Sequence, residues 1–107
     1  MSERRREERV PLLLDVRWES LSGRHASARI SDISLSGCYV EALAQVTIGE
    51  KVLLEVRTPT GRWLPLRGEV MYQHPNMGFG LRFNEMGELE QKMLAQIVEY
   101  AREDTTP

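Results

Sequence analysis

The chain has 107 residues and a net charge of −2, enough for one domain with its own apolar core and no disulfide or metal staples. Its ordinary apolar and charged fractions exclude wholesale disorder. The slight acidic balance argues against a general binder of nucleic acid polymers, which carries a basic face.

The lone Cys38 cannot make an internal disulfide and fits a reducing cytoplasm. Residues Met1 to Arg9 are charged rather than apolar, so no signal peptide is expected. The apolar run from Val10 to Leu14 stops at Asp15, far too short to insert in a membrane. Charge is unevenly spread. The first ten residues hold four arginines against three glutamates, while residues 85–104 hold six acids against Lys92 and Arg102.

After the arginine-rich start, Leu12, Leu14, Val16 and Trp18 alternate with Leu13, Asp15, Arg17 and Glu19, the period of a half-buried strand. Ser22-Gly23 ends it. A second strand runs from about Arg24 to Ser31, with Ala26, Ala28 and Ile30 in one phase. The pattern breaks at Ser31-Asp32-Ile33-Ser34-Leu35-Ser36-Gly37, where an acid, hydroxyls and a glycine make a turn held by side-chain bonds to backbone. Cys38, Val40 and Ala42 resume the alternation. A fourth strand carries Val52, Leu54 and Val56. A long fifth, about Arg62 to Gln73, places Leu64, Leu66, Val70 and Tyr72 in one phase, with Pro65 suggesting a sheet edge and Gly68 a bend. Phe79, Leu81 and Phe83 make the sixth.

From about Met86 to Arg102 the period changes. Met86, Leu89, Met93, Leu94, Ile97, Val98 and Ala101 recur at helical spacing, and Asn84 or Glu85 is the expected cap region. Six strands and one helix read as an all-β fold, a six-stranded antiparallel β-barrel with a C-terminal helix covering one side or opening. The expected division is an N-terminal arm at 1–10, the barrel at 11–84 and the helix at 85–103.

Enzyme signatures are missing. His25 and His74 lack metal-ligand spacing, Ser34 has no base nearby in sequence, and neither a nucleophile elbow nor a phosphate-binding glycine loop is present. Catalysis, a metal or a bound cofactor is not expected. The arginines remain. Glutamates nearly cancel their charge, so the geometry of particular guanidinium groups must matter. A guanidinium grips phosphate or the edge of guanine and stacks on a base, while a carboxylate such as Asp32 accepts from guanine N–H groups. The arm and the turn together suit a guanine nucleotide bearing phosphates.

Arg5-Arg6-Glu7-Glu8-Arg9 reads as Arg-x-x-x-Arg, and Asp32-Ile33-Ser34-Leu35-Ser36-Gly37 as Asp-x-Ser-x-x-Gly. With Gly78-Phe79-Gly80-Leu81-Arg82-Phe83 and the helix after it, this pair resembles the PilZ domain family over nearly the whole chain. The resemblance implies a bacterial receptor for cyclic di-GMP. It assigns Arg5 and Arg9 to phosphate and guanine, Asp32 and Ser34 to a guanine edge, and Gly37 to the shape of the turn. Arg4 would suit an intercalated pair of ligand molecules, and Met77 and Gly78 are further candidate neighbours.

The expected mechanism is an arm that is mobile without ligand and folds onto the barrel with it, offering a new surface to a downstream protein. The family's settings include motility and biofilm formation. A monomer or weak dimer is expected. The competing readings are a PilZ-like protein-interaction adaptor that binds no nucleotide, and a small barrel that binds single-stranded nucleic acid through aromatics on a sheet face.

Overall fold

A computed structural model describes residues 8–20, 23 and 25–104. Six strands form a closed antiparallel barrel: β1 (Val10–Ser20), β2 (His25–Ile33), β3 (Gly37–Glu41), β4 (Lys51–Arg57), β5 (Trp63–His74) and β6 (Gly78–Phe83). Around the barrel the order is β1-β2-β3-β6-β5-β4. One helix, α1 (Glu88–Asp104), follows. The expected fold class stands.

Period-two alternation builds the interior. Val10, Val16 and Trp18 of β1 and Val52, Leu54 and Val56 of β4 are buried, and the residues between them in β1 and β4 are partly or fully exposed. Across the other strands the interior is layered by register, with Ile33, Cys38, Leu81 and Val70 in one row. Trp18 meets Phe79 edge-on, ring centroids 5.7 Å apart, the offset that ring quadrupoles favour.

Register shifts interrupt three ladders, β1–β2 between Pro11 and Leu14 among them, and two of them shift this alternation. Between Ile30 and Asp32, β2 slips against β3, so Ile30 and Ile33 are both buried although they are three apart. Between Val70 and Tyr72, β5 slips against β6. Tyr72 therefore leaves the inward phase of Leu64, Leu66 and Val70 in which its spacing had placed it, because one extra residue at a bulge re-aims everything after it. The disturbance anticipated at Gly68 lies a few residues later.

Pro65 pairs with Glu55 of β4, in the half of β5 that precedes its pairing with β6 at Gly68. A residue without an N–H is tolerated there. The helix begins at Glu88, two residues later than its periodicity suggests, and the Gln91 amide donates to the Gly87 carbonyl in its first turn. Leu94, Ile97, Val98 and Ala101 enter the core, but Leu89 is exposed. Within the helix the stripe engages the barrel from the second turn onward, while Met86 packs against the core from the segment before it.

Cys38 is fully buried and unpaired. Burial pushes its thiol pKa up, and Asp32 adds to this while Arg9 opposes it. The folded state therefore favours the neutral thiol. That contribution is complete below the unfolded-state pKa of about 8.5 and is lost as pH rises beyond it. A thiol reagent such as Ellman's should leave the folded protein unmodified at pH 8 and titrate one thiol after unfolding in guanidinium. Prompt reaction of the folded protein would contradict this burial.

Candidate functional site

The sequence pattern Asp-x-Ser-x-x-Gly becomes a strand end, a tight turn and a strand start. β2 continues through Asp32 to Ile33, so Asp32 sits on the sheet rather than in the turn, which comprises Ser34 to Ser36. Ser34 is 2% exposed. Its Oγ accepts from the Ser36 and Gly37 amides, both at 3.1 Å, and donates to the Gly37 carbonyl at 3.3 Å. The Ser34 amide donates to that same carbonyl at 2.8 Å. A hydroxyl used this way replaces backbone partners that the turn cannot supply.

Gly37 is needed for a different reason than turn conformation. A Cβ at this position would run into the Leu81 carbonyl oxygen of β6, where Gly37 pairs with Arg82. The glycine permits close approach of two strands.

Asp32 opens a row of residues in register across the outer wall. It pairs with Pro11 of β1 and Tyr39 of β3, Tyr39 pairs with Gly80 of β6, and Gly80 with Tyr72 of β5. Bare backbone at Gly80 lets the Tyr72 ring lie across β6, since a Cβ there would strike that ring. Gly78 does the same for Tyr39, whose ring would be 2.8 Å from a Cβ. Tyr39 and Tyr72 are 6.2 Å apart and 28° from parallel, and His74 joins them at 5.7 and 5.3 Å. The Tyr39 hydroxyl and His74 Nδ1 share a hydrogen bond at 3.1 Å. The result is an aromatic pavement on the outer face.

Arg9 lies at its edge. Its Nη1 donates to Asp32 Oδ1 at 3.1 Å, with both side chains partly exposed. Burial works to lower the Arg9 pKa, but Asp32 and the Tyr72 hydroxyl beside it raise it further, and the net shift is upward. Arg9 is therefore a fixed cation between a carboxylate and an aromatic ring. Desolvation, and after it the charges of Tyr72, Glu41 and Asp32, likewise raise the Tyr39 pKa, keeping its hydroxyl protonated.

Of the expected site residues, the structure brings Arg9 and Asp32 together and places Ser34 and Gly37 in the hairpin behind them. Arg4 and Arg5 lie outside the described residues. Gly78 is part of the pavement, and Met77 is exposed in the turn before it. Tyr39, Tyr72 and His74 were missed. For Tyr39 a signal existed, since it falls on the outward phase between Cys38 and Val40. For Tyr72 the bulge concealed it.

The wall made by β1, β4 and the first half of β5 differs. Its charges are paired across strands: Arg17 with Glu55 at 3.2 Å, Lys51 with Glu69 at 2.9 Å, and Asp15 of β1 with Arg29 of β2 at 3.9 Å. The hydrogen bond and charge of Lys51 hold the Glu69 carboxyl below its usual range. Arg17 and Arg57 cover the Trp63 ring at 3.8 and 5.4 Å. A groove of about 740 Å³ between Lys51, Leu53, Arg67 and Glu85 lies on this side. In this groove, however, Lys51 already has its partner and no aromatic ring is among the lining residues. Chemistry favours the pavement.

Substitution of the glycines should separate fold from site. Gly37→Ala forces β3 from β6 and should cost about 1–3 kcal/mol in urea denaturation. Gly80→Ala meets only the end of the Tyr72 ring, which can swing away, so stability should fall less while the tyrosine environment changes in near-ultraviolet circular dichroism. Equal losses of stability would contradict this assignment.

Among the described residues, no helix is long and apolar enough to cross a membrane, and no group of three or more His, Cys, Asp or Glu is placed to hold a metal. No curated protein matches the chain. Similar solved structures include the PilZ domain of CeSA from a cellulose-synthesizing bacterium, at 15% identity and TM-score 0.72 over 90% of this chain and 99% of that one. The PilZ domain of Escherichia coli YcgR, solved with c-di-GMP, is 15% identical with TM-score 0.74 over 94% and 93%. Bacillus subtilis MotI/DgrA, an inhibitor of motility, is 19% identical with TM-score 0.78 over 92% of this chain and 51% of its own. The family model described as PilZ domain matches residues 3–100, and the chain belongs to that family.

Proposed function

We propose that this chain is a receptor for cyclic di-GMP, and that the dinucleotide binds at the pavement between the arginine arm and β2. The observation that carries the reading is the Arg9–Asp32 pair beside Tyr72. Each partner of that pair is complementary to part of the ligand. The guanidinium fits a phosphate or a guanine edge, and the carboxylate fits the N–H groups of guanine. In the free protein they satisfy each other. An exposed pair of this kind contributes only about 0–1 kcal/mol, so a ligand that replaces both contacts can open it.

A guanine base would stack on Tyr39 and Tyr72, a contact worth about 1–3 kcal/mol per base in other aromatic sites. Arg5, with Arg4 before it, would bring further cations from the arm. Ser34 and Gly37 would act through the hairpin that fixes Asp32, because the Ser34 oxygen is already occupied within the turn. The same bonding argues for a receptor over a hydrolase: His74 bonds to Tyr39, and the Ser34 hydroxyl is engaged within the turn by Ser36 and Gly37. Ligand-driven ordering of the arm, read by a downstream protein in the bacterial cytoplasm, completes the proposal. The solved YcgR domain with c-di-GMP supports the choice of ligand.

Calorimetric titration with cyclic di-GMP tests it. Binding should be saturable, abolished in Arg9→Ala and Asp32→Ala, and weakened at least tenfold in Tyr72→Ala, the loss of roughly one base stack. Full affinity in all three variants would place the ligand elsewhere, and no binding by the unmodified protein would favour an adaptor that works through protein contacts alone.

A further inference from the structure

The residue before Arg9 reaches a different element. Glu8 Oε1 lies 3.0 Å from Arg102 Nη2 in the last turn of α1, and Arg102 Nη1 lies 3.3 Å from Glu99. Residues 8 and 9 belong to no strand, and ladder pairing begins at Val10 with Ile33. The two residues leading into the barrel are thus pinned on one side to the candidate site and on the other to the helix.

We propose that the Glu8–Arg102 pair is a latch that opposes ligand binding at Arg9 and is released by it, so that occupancy of the site reaches the end of α1. The inference rests on the receptor reading above. Arg9 must leave Asp32 for a ligand to take both partners. Adjacent residues share a rigid peptide plane, so a displacement of the Arg9 backbone displaces Glu8 as well. The latch is weak enough to yield, since both side chains keep substantial exposure, 52% for Glu8 and 33% for Arg102.

The rest of the helix is held independently. Leu94, Ile97 and Val98 anchor the helix up to its last turn, so release affects that turn alone. That turn follows the half-exposed Tyr100, which borders a groove of about 210 Å³ with Pro59, Thr60 and Met93. The change is therefore delivered beside an accessible aromatic surface. Coupling of this kind is reciprocal: what the ligand does to the latch, loss of the latch does to the ligand.

Calorimetry and amide hydrogen exchange test the latch together. Glu8→Ala and Arg102→Ala should each tighten cyclic di-GMP binding about two- to fivefold, and the double variant should gain no more than either alone. In the unmodified protein, saturating ligand should speed exchange in residues 99–104 and leave residues 94–98 unchanged. Tightening by Glu8→Ala with weakening by Arg102→Ala would reveal a long-range charge effect and overturn the latch. So would variants with unaltered affinity, or ligand that leaves the last turn unchanged. Absence of any binding by the unmodified protein would instead overturn the receptor reading and the latch with it.

Discussion

Glycines 37, 78 and 80 stand where β3, β5 and β6 crowd each other on the outer wall. At Gly37 and Gly78 a Cβ would collide with a carbonyl of the neighbouring strand, and at Gly80 with the Tyr72 ring. Strand residues without side chains weaken a sheet in isolation. In this barrel they set the spacing of three strands and leave a bare strip on which two tyrosines can lie. The hairpin that fixes Asp32, the row from Pro11 to Tyr72 and the position of Arg9 all rest on that spacing.

On this prepared wall, polar groups are few and specific. Elsewhere the barrel pairs its charges across strands, as Arg17 with Glu55 and Lys51 with Glu69. Such pairs saturate a surface and leave little for a partner to recognise. The Arg9–Asp32 pair differs because one member lies ahead of the first strand while the other sits within β2. In the proposed receptor, a ligand would replace both members of this pair. The neighbouring Glu8 pairs with Arg102 of α1, so the proposed latch would link this edge of the site to the end of the helix.

Most of the barrel was legible from alternation alone. All six strands and the helix are where their periodicities put them, with ends displaced by a few residues, because inward positions such as Val16, Leu54 and Leu81 keep strict phase. Two bulges broke the reading. Asp32 lies on the strand rather than in the turn, and the β5 bulge takes Tyr72 out of the inward phase. The break in phase at Ser31 was visible, but its cause is a slip between paired strands, which one strand's pattern does not record. Leu89 misled for a related reason: helical periodicity identifies a face without saying where the barrel wall ends. In the candidate site, Arg9 and Asp32 could be paired by their chemistry. The roles of Ser34 and Gly37 could not be separated from ligand contact without knowing what lay behind the hairpin. The contribution of Gly78 and Gly80 depends on rings from strands far away in sequence.

The proposed receptor role requires a guanine dinucleotide to occupy the Arg9–Asp32 edge and the Tyr39–Tyr72 pavement. Backbone amide chemical shifts recorded during titration with cyclic di-GMP test it most directly. The largest changes should fall on Arg9, Asp32, Tyr39, Gly80 and Tyr72, with little change at Arg17, Leu53 or Glu55 on the charge-paired wall. Changes concentrated on that second wall, or none at saturating nucleotide, would contradict it.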